Sequence, residues 1–423
     1  MLREGFTTGT AAAAAAKAAL ELLLTGTAPA AVQITLPPFV LQSDTIIPVK
    51  NKRLSIPIAA CSLEKKRIGL NCATAVVIKD GGDDPDSTHG MRLEMTVALA
   101  PFNADDLANS PELDLGQGVK LKTGQGIGIV TLPGLPVRPG EPAVNPEPRK
   151  QIALAAREAA SAAGYHGPIH LLLRAPEGSM RAERTLNARL GILGGISILG
   201  THGIVLPYSH EAWQTAICQG FDIAAALDLD RVALSTGRRS EQALQRLYPA
   251  WPEQAFILAA DFARFSISEA ARRGFREIVW GCYPGKLLKL AQGLENTHAN
   301  SAPADLGLIR QILGQLIEPL PVPPAKTDFL ANLTDMPTVQ GIFDRLEAES
   351  LPGTYELGTV NPSSGNLGTR LIERLAAKLA DLALANLRTW AKIGQTGEQN
   401  AAPAITLCLF RPDGSLLYKS GPK

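Results

Sequence analysis

One early stretch carries its apolar residues at helical spacing, and the pattern then breaks into short alternating runs. Between Ala11 and Leu24, the residues Ala16, Leu20, Leu23 and Leu24 share one face, and Ala11 to Ala16 are strong helix formers. Thr7-Thr8-Gly9-Thr10 stands just before them, where hydroxyls cap the free N–H groups of a helix start. From Val32 to Leu135 the runs are β-prone and broken by Pro and Gly: Val32–Leu36, Thr45–Val49, Thr74–Ile78, Leu93–Leu99 and Ile127–Leu132. With few helices between them, residues 1–150 read as an α+β domain. Pro142 to Pro148 is a stiff segment leading into a helix near Lys150–Ala163.

Beyond it, strand-like runs at Ile169–Leu173, Ile196–Leu199, Arg231–Ser235, Ala255–Leu258 and Glu277–Trp280 take turns with helical runs. The helices fall near Ser209–Gln219, Ser240–Leu247, Phe262–Arg273 and Lys286–Leu294. That alternation predicts an α/β domain over 151–300 with a mainly parallel, doubly wound, Rossmann-like sheet. Residues 301–423 read as mostly helical, at Leu308–Ile317, Thr338–Glu347 and Asn366–Thr389, and are expected to pack on the other two parts. They close on a hairpin of Ile405–Phe410 and Ser415–Lys419, because Pro412-Asp413-Gly414 between two apolar runs is a turn signal. Gly394 to Pro403 is small and polar, as loops are.

Composition narrows the function. At 423 residues the chain exceeds what one core organises, and 45% hydrophobic with 19% charged residues fits a soluble protein. A net charge of +1 lacks the basic excess of a nucleic-acid binder, so anionic ligands must be met by local Arg and Lys. Five scattered cysteines form no C-x-x-C pair, which argues against a disulfide framework or structural zinc and suits the cytoplasm. The apolar run from Ala11 is interrupted by Lys17 and Glu21, so it reads as a soluble helix rather than a signal or membrane segment.

Several motifs carry candidate chemistry. Lys79-Asp80-Gly81-Gly82-Asp83-Asp84-Pro85-Asp86-Ser87-Thr88-His89-Gly90 packs four carboxylates into seven residues. It is not an EF-hand: aligned from Asp84, His89 replaces the required Gly and Met95 the bidentate Glu. A solvated acidic turn and a functional loop both remain open; in the second, carboxylates face a ligand, act as a base, or clamp arginines. Gly124, Gly126 and Gly128 bring backbone close to a ligand or make a tight turn, but Ile129 replaces the third glycine of the dinucleotide fingerprint. Gly191 to Gly203, with Gly194, Gly195, Gly200 and Thr201, is a cofactor loop or a close-packed connection. Gly281-Cys282-Tyr283-Pro284-Gly285-Lys286 is one residue short of a phosphate loop, and Leu287 replaces its hydroxyl. This turn, Ser235-Thr236-Gly237-Arg238-Arg239 and Ala260-Asp261-Phe262 each follow a strand, so they should line one crevice. His166 and His170 straddle Gly167-Pro168, and no metal site is assigned.

Taken together, GFTTGT from Gly5, the acidic stretch from Lys79, NPEPR from Asn145, TLNARLGILGGISILGTHGIV from Thr185, STGRRSE from Ser235 and GKLLKLAQG from Gly285 resemble the CbiD family, the cobalt-precorrin-5B C1-methyltransferases. The resemblance covers about residues 1–300. It implies a two-domain fold, S-adenosylmethionine as methyl donor, and a tetrapyrrole substrate that carries its own cobalt. Methyl transfer chiefly demands positioning, since the electron-rich ring is itself the nucleophile. On this reading Asp83, Asp84, Asp86 and His89 are the candidate catalytic groups, and Gly124, Gly126, Gly128, Gly194, Gly195, Gly200 and Thr201 the donor site. Thr7, Thr8, Arg149, Arg189, Arg238, Arg239, Asp261 and Lys286 are the substrate contacts, with arginine forks suited to the ring's peripheral carboxylates. No nucleic acid or membrane partner is expected, and a homo-oligomer stays open. Without the resemblance, an ATP- or phosphate-dependent enzyme or a non-catalytic carrier of the macrocycle would also fit this architecture.

Overall fold

A computed structural model describes residues 2–42, 45–65, 71–102, 111–299, 301–317, 336–348, 367–395 and 401–420. The chain forms two compact units, Met1–Trp213 and Gln214–Lys423.

The first unit begins with β1 (Gly5–Phe6) and α1 (Thr8–Thr25), then β2 (Ala31–Thr35), β3 (Phe39–Gln42), β4 (Thr45–Pro48), β5 (Arg53–Pro57) and β6 (Ala60–Lys65). It continues with β7 (Asn71–Ile78), β8 (Arg92–Ala98), β9 (Leu113–Asp114), β10 (Val119–Thr123), β11 (Ile129–Val130), α2 (Pro146–Ala162) and β12 (Ile169–Arg174). Helix α3 (Gly178–Ala182), β13 (Ile192–Leu193) and β14 (Ile204–Val205) complete it. Its main sheet has the order β6-β7-β8-β12-β10-β9, antiparallel except for the β10–β12 pair. Alternate residues (Ala73, Ala75, Val77 on β7; Leu93, Met95, Val97 on β8) join the core that contains α1 and α2. Ala11 to Ala16 are all fully buried, and their small side chains let α1 lie close to both the sheet and α2. Lys17 stays in this helix as a paired cation, 2.6 Å from Glu158 of α2.

The break between units falls within α4 (His210–Ala226), not at the expected residue 150, which lies inside α2. The physical reason is strand pairing. Ile169–Leu173, expected to open the parallel sheet, instead joins β8 and β10 of the first sheet. Ile196–Leu199 forms only single bridges, to Ile127 and Val144.

In the second unit β15 (Arg231–Ser235), α5 (Arg238–Leu247), β16 (Phe256–Leu258), α6 (Ala263–Arg272), β17 (Glu277–Cys282) and α7 (Pro284–Ala291) alternate as expected. They are followed by α8 (Leu306–Ile317), helices Val339–Ala348 and Leu367–Gly394, and the hairpin β18 (Ala404–Phe410) and β19 (Leu416–Lys419). The sheet order is β16-β15-β17-β18-β19, with the first four strands parallel. The region expected as a separate part, 301–423, therefore supplies two strands, β18 and β19, to this sheet. Val232, Leu234, Ile278, Trp280, Leu407 and Leu409 face a core shared with α4, α6, α7, α8 and the two last helices. Ala233, Val279, Cys408 and Phe410 face the opposite way, against α5. Both faces are covered, as parallel strands require. The expected start of the last helix at Asn366 and much of the Gly394–Pro403 loop lie outside the described residues.

Candidate active site

The acidic loop follows β7, and its like charges coexist because each has its own partner. Lys79 is fully buried and its Nζ lies 2.6 Å from Asp86 Oδ2. Asp86 Oδ1 accepts the Thr88 N–H at 2.7 Å and its hydroxyl at 2.6 Å. Burial pushes the Asp86 carboxyl up, but the Lys79 charge and these hydrogen bonds outweigh it and leave it below the usual range. The Arg3 guanidinium forks onto Asp80, whose acidity is raised chiefly by that contact. Asp83 Oδ2 accepts the Arg3 N–H at 2.7 Å, and Asp84 Oδ1 accepts that of Tyr208 at 2.9 Å. The loop thus clasps the chain start, where β1 pairs with β14. The Asp83, Asp84 and Asp86 carboxylates are tied into this clasp, which is the arginine-clamping alternative extended to backbone.

His89 is placed differently. Its Nδ1 accepts the Gly81 N–H at 2.9 Å, closer than Asp80 at 3.6 Å, so the ring proton belongs on Nε2. This imidazole lines a cavity of about 510 Å³ in the first unit. Phe6, Leu54, Pro57, Ile78 and Ile204 give it apolar walls, and Arg3, Glu4, Ser55, Lys79 and Asp80 give it polar ones. Of the four expected catalytic residues, only His89 reaches it. Sequence reading passed over Glu4 and Ser55 because neither sits in a recognisable motif; the one signal was Glu4's position directly before Gly5-Phe6-Thr7.

The glycine-rich segments bind each other. A Cβ on Gly126 would lie 1.8 Å from the Ala175 carbonyl oxygen, and one on Gly195 would lie 2.2 Å from that of Gly126. Gly126 also sits at φ 78°, which a side chain disfavours. Gly124 N–H donates to Leu173, Gly128 N–H to Ile196, and Ile196 N–H back to Gly126. Asn187, buried beside Arg189's one-turn helix, donates to the Gly195 carbonyl at 3.1 Å and accepts the Ser197 hydroxyl. Gly200 packs on Thr7, while Thr7 and Thr8 are buried and bonded to residues 197–203 and to Thr10. Thr7, Thr8, Gly124, Gly126, Gly128, Gly195 and Gly200, expected to meet substrate or donor, all take part in packing unit one's own backbone. Gly194 has open space around it, and Thr201 is exposed. Arg149 is held by Glu141 at 2.7 Å and by the Val144 carbonyl.

In the second unit the expected turns do gather at the carboxyl ends of β15, β16 and β17. The chain leaves β15 towards the α5 face and β17 towards the α7 face, the kind of switch beside which ligands usually bind in open α/β sheets. Arg238 and Arg239 open α5, are exposed and form no ion pair among the described residues; Arg239 lies over the Tyr283 ring at 5.7 Å. Asp261 is held by Lys286 and by the Thr297 hydroxyl at 2.8 Å, and Lys286 also donates to the Thr297 carbonyl. Asp261, Lys286 and Thr297 therefore brace these turns, while Arg238 and Arg239 are exposed beside them.

The first unit thus holds an imidazole-lined cavity, and the second presents two exposed guanidiniums at its strand ends. The CbiD family model matches residues 1–207. A cobalt-precorrin-5B C(1)-methyltransferase of Nitratidesulfovibrio vulgaris is 51% identical over 310 residues, covering 73% of this chain and 74% of that one. One from Geobacillus kaustophilus is 41% identical over 315 residues, covering 74% and 76%. A crystal structure of CbiD from Archaeoglobus fulgidus, 24% identical over 68% of this chain and 79% of its own, has a TM-score of 0.33, too low to relate the folds. The chain belongs to the CbiD family, the cobalt-precorrin-5B C(1)-methyltransferases. No helix among the described residues is long and apolar enough to cross a membrane.

Proposed function

We propose that this chain transfers a methyl group from S-adenosylmethionine to C1 of cobalt-precorrin-5B, giving cobalt-precorrin-6A on the anaerobic route to cobalamin. The 51% identity to a relative of that name, over nearly three quarters of both chains, carries the reading. Cobalt belongs to the substrate. The donor supplies an electrophilic methyl group; the protein's part is to hold, orient and desolvate.

Two exposed guanidiniums at the β15–β17 crevice match a ring edged with carboxylates, because planar forks bind carboxylates in pairs. Lys286, Asp261 and Thr297 fix the turn beneath them. In the first unit His89 Nε2–H is free to donate a hydrogen bond to a bound molecule, since its Nδ1 accepts the Gly81 N–H and Asp83, Asp84 and Asp86 are committed to the clasp. The interlocked glycines do not fit a donor site, so the donor is not assigned to them.

A single-turnover incubation with cobalt-precorrin-5B and S-adenosylmethionine tests the reading. The expected product gains the mass of one methyl group and requires both reactants. Binding of ATP with no binding of the methyl donor would favour the kinase- or ligase-like alternative instead.

A further inference from the structure

We infer that the cavity bounded by β1, β5, β14 and the acidic loop is the methyl-donor site, with Glu4 facing the sulfonium; this rests on the methyltransferase reading above. The cavity is large enough for such a ligand. About 510 Å³ lies within the range of small-molecule sites, roughly 300 to 1,000 Å³.

Of the cations on the wall, Arg3 is neutralised by Asp80 and Lys79 by Asp86. Glu4 has no hydrogen-bond or ion-pair partner among the described residues, so the wall carries one uncompensated negative charge. A polycarboxylate macrocycle would be repelled by such a wall. A nucleoside bearing a sulfonium and an ammonium would be drawn to it, whereas the exposed Arg238 and Arg239 of the second unit have the opposite preference. The lining is mixed. Phe6, Leu54 and Ile204 offer an apolar surface for a flat base, and His89 and Ser55 offer hydrogen-bonding groups beside it.

The test is calorimetric binding of S-adenosylmethionine and of its uncharged-sulfur product, S-adenosylhomocysteine, to the full chain. Wild type is expected to bind both. Glu4→Gln, at an exposed position, should weaken S-adenosylmethionine about fivefold, as loss of one solvent-screened charge contact near 4 Å implies, and leave S-adenosylhomocysteine within about twofold. Ser55→Trp, also at an exposed position, should plug the cavity and abolish binding of both while the melting temperature holds. If wild type binds the donor and both variants bind it equally well, the site is wrong and the methyltransferase reading stands. Equal weakening of the two ligands by Glu4→Gln overturns the role of Glu4. If wild type binds neither ligand, the methyltransferase reading falls together with the site.

Discussion

Replacing Asp86 with Asn separates a strut from a catalyst. The carboxylate is 2.6 Å from the Lys79 ammonium, and the two side chains are only 18% and 1% exposed. Removing one partner of a buried pair strands the other charge, which costs about 3–5 kcal/mol. Asparagine keeps an oxygen for Lys79 and Thr88, so the lower end, about 3 kcal/mol, is expected. For a unit the size of Met1–Trp213 each kcal/mol moves the melting point by about 2–4 °C, giving a fall of about 6–12 °C at neutral pH. The pH dependence fixes the cause. Asp86 titrates below its ordinary value in the fold, so its contribution is complete above the unfolded carboxyl value near 3.9 and fades as pH falls through the folded one. The gap between variant and wild type should therefore close in acid. Scanning calorimetry across pH measures this, alongside turnover per folded molecule, which should change less than about threefold. A melting point within about 2 °C of wild type, with turnover lost, would refute the strut and return Asp86 to the chemistry. Lys79→Met with Asp86→Leu should recover most of the stability, since a well-packed apolar pair replaces a buried ion pair at little loss.

Four further outcomes are expected. His89→Leu should cut turnover at least about tenfold while Asp84→Asn leaves it within about threefold, because of these two residues only His89 lines the cavity and an asparagine oxygen still accepts the Tyr208 N–H; steady-state kinetics decides. Arg238→Ala should raise the Kd for the macrocycle about tenfold, or about 1.4 kcal/mol, and leave donor binding unchanged; equal losses would contradict the crevice assignment. Gly126→Ala drives a methyl into the Ala175 carbonyl and should prevent soluble folding, whereas Gly194→Ala meets open space and should cost only about 1–2 kcal/mol of left-handed backbone strain, both read by chemical denaturation. Arg272 and then Arg273, acting against burial, hold Glu269 at about 2, so stability is lost as pH falls from about 4.5 towards 2. Glu269→Gln should lower the neutral-pH melting point and flatten that acid slope.

Local patterning was legible where it answers to local rules. The α1 start shows this in the Thr7 cap and the alanine run, as do the alternating strands and helices from Arg231 to Ala291 and the Pro412-Asp413-Gly414 turn. Pairing partners were not legible. The Ile169–Arg174 run reads the same whichever sheet it joins, and only long-range register with Glu94–Ala98 and Val119–Thr123 sends it to the first. The candidate site divides the same way. Arg238, Arg239, Asp261 and Lys286 were found because strand ends place them, yet Asp261 and Lys286 neutralise each other, which spacing does not reveal. The glycines looked like ligand loops because close approach to backbone and close approach to a ligand make the same demand on sequence. Glu4 was not legible, since its place on the cavity wall depends on the fold and not on any motif.

The central claim is regiospecific methyl transfer to the corrin precursor. Its most direct test is turnover of cobalt-precorrin-5B with S-adenosylmethionine carrying an isotope-labelled methyl group, followed by NMR of the product. The account predicts one labelled methyl on C1 of the ring. A product labelled at another carbon, or recovered macrocycle with no label, would contradict it.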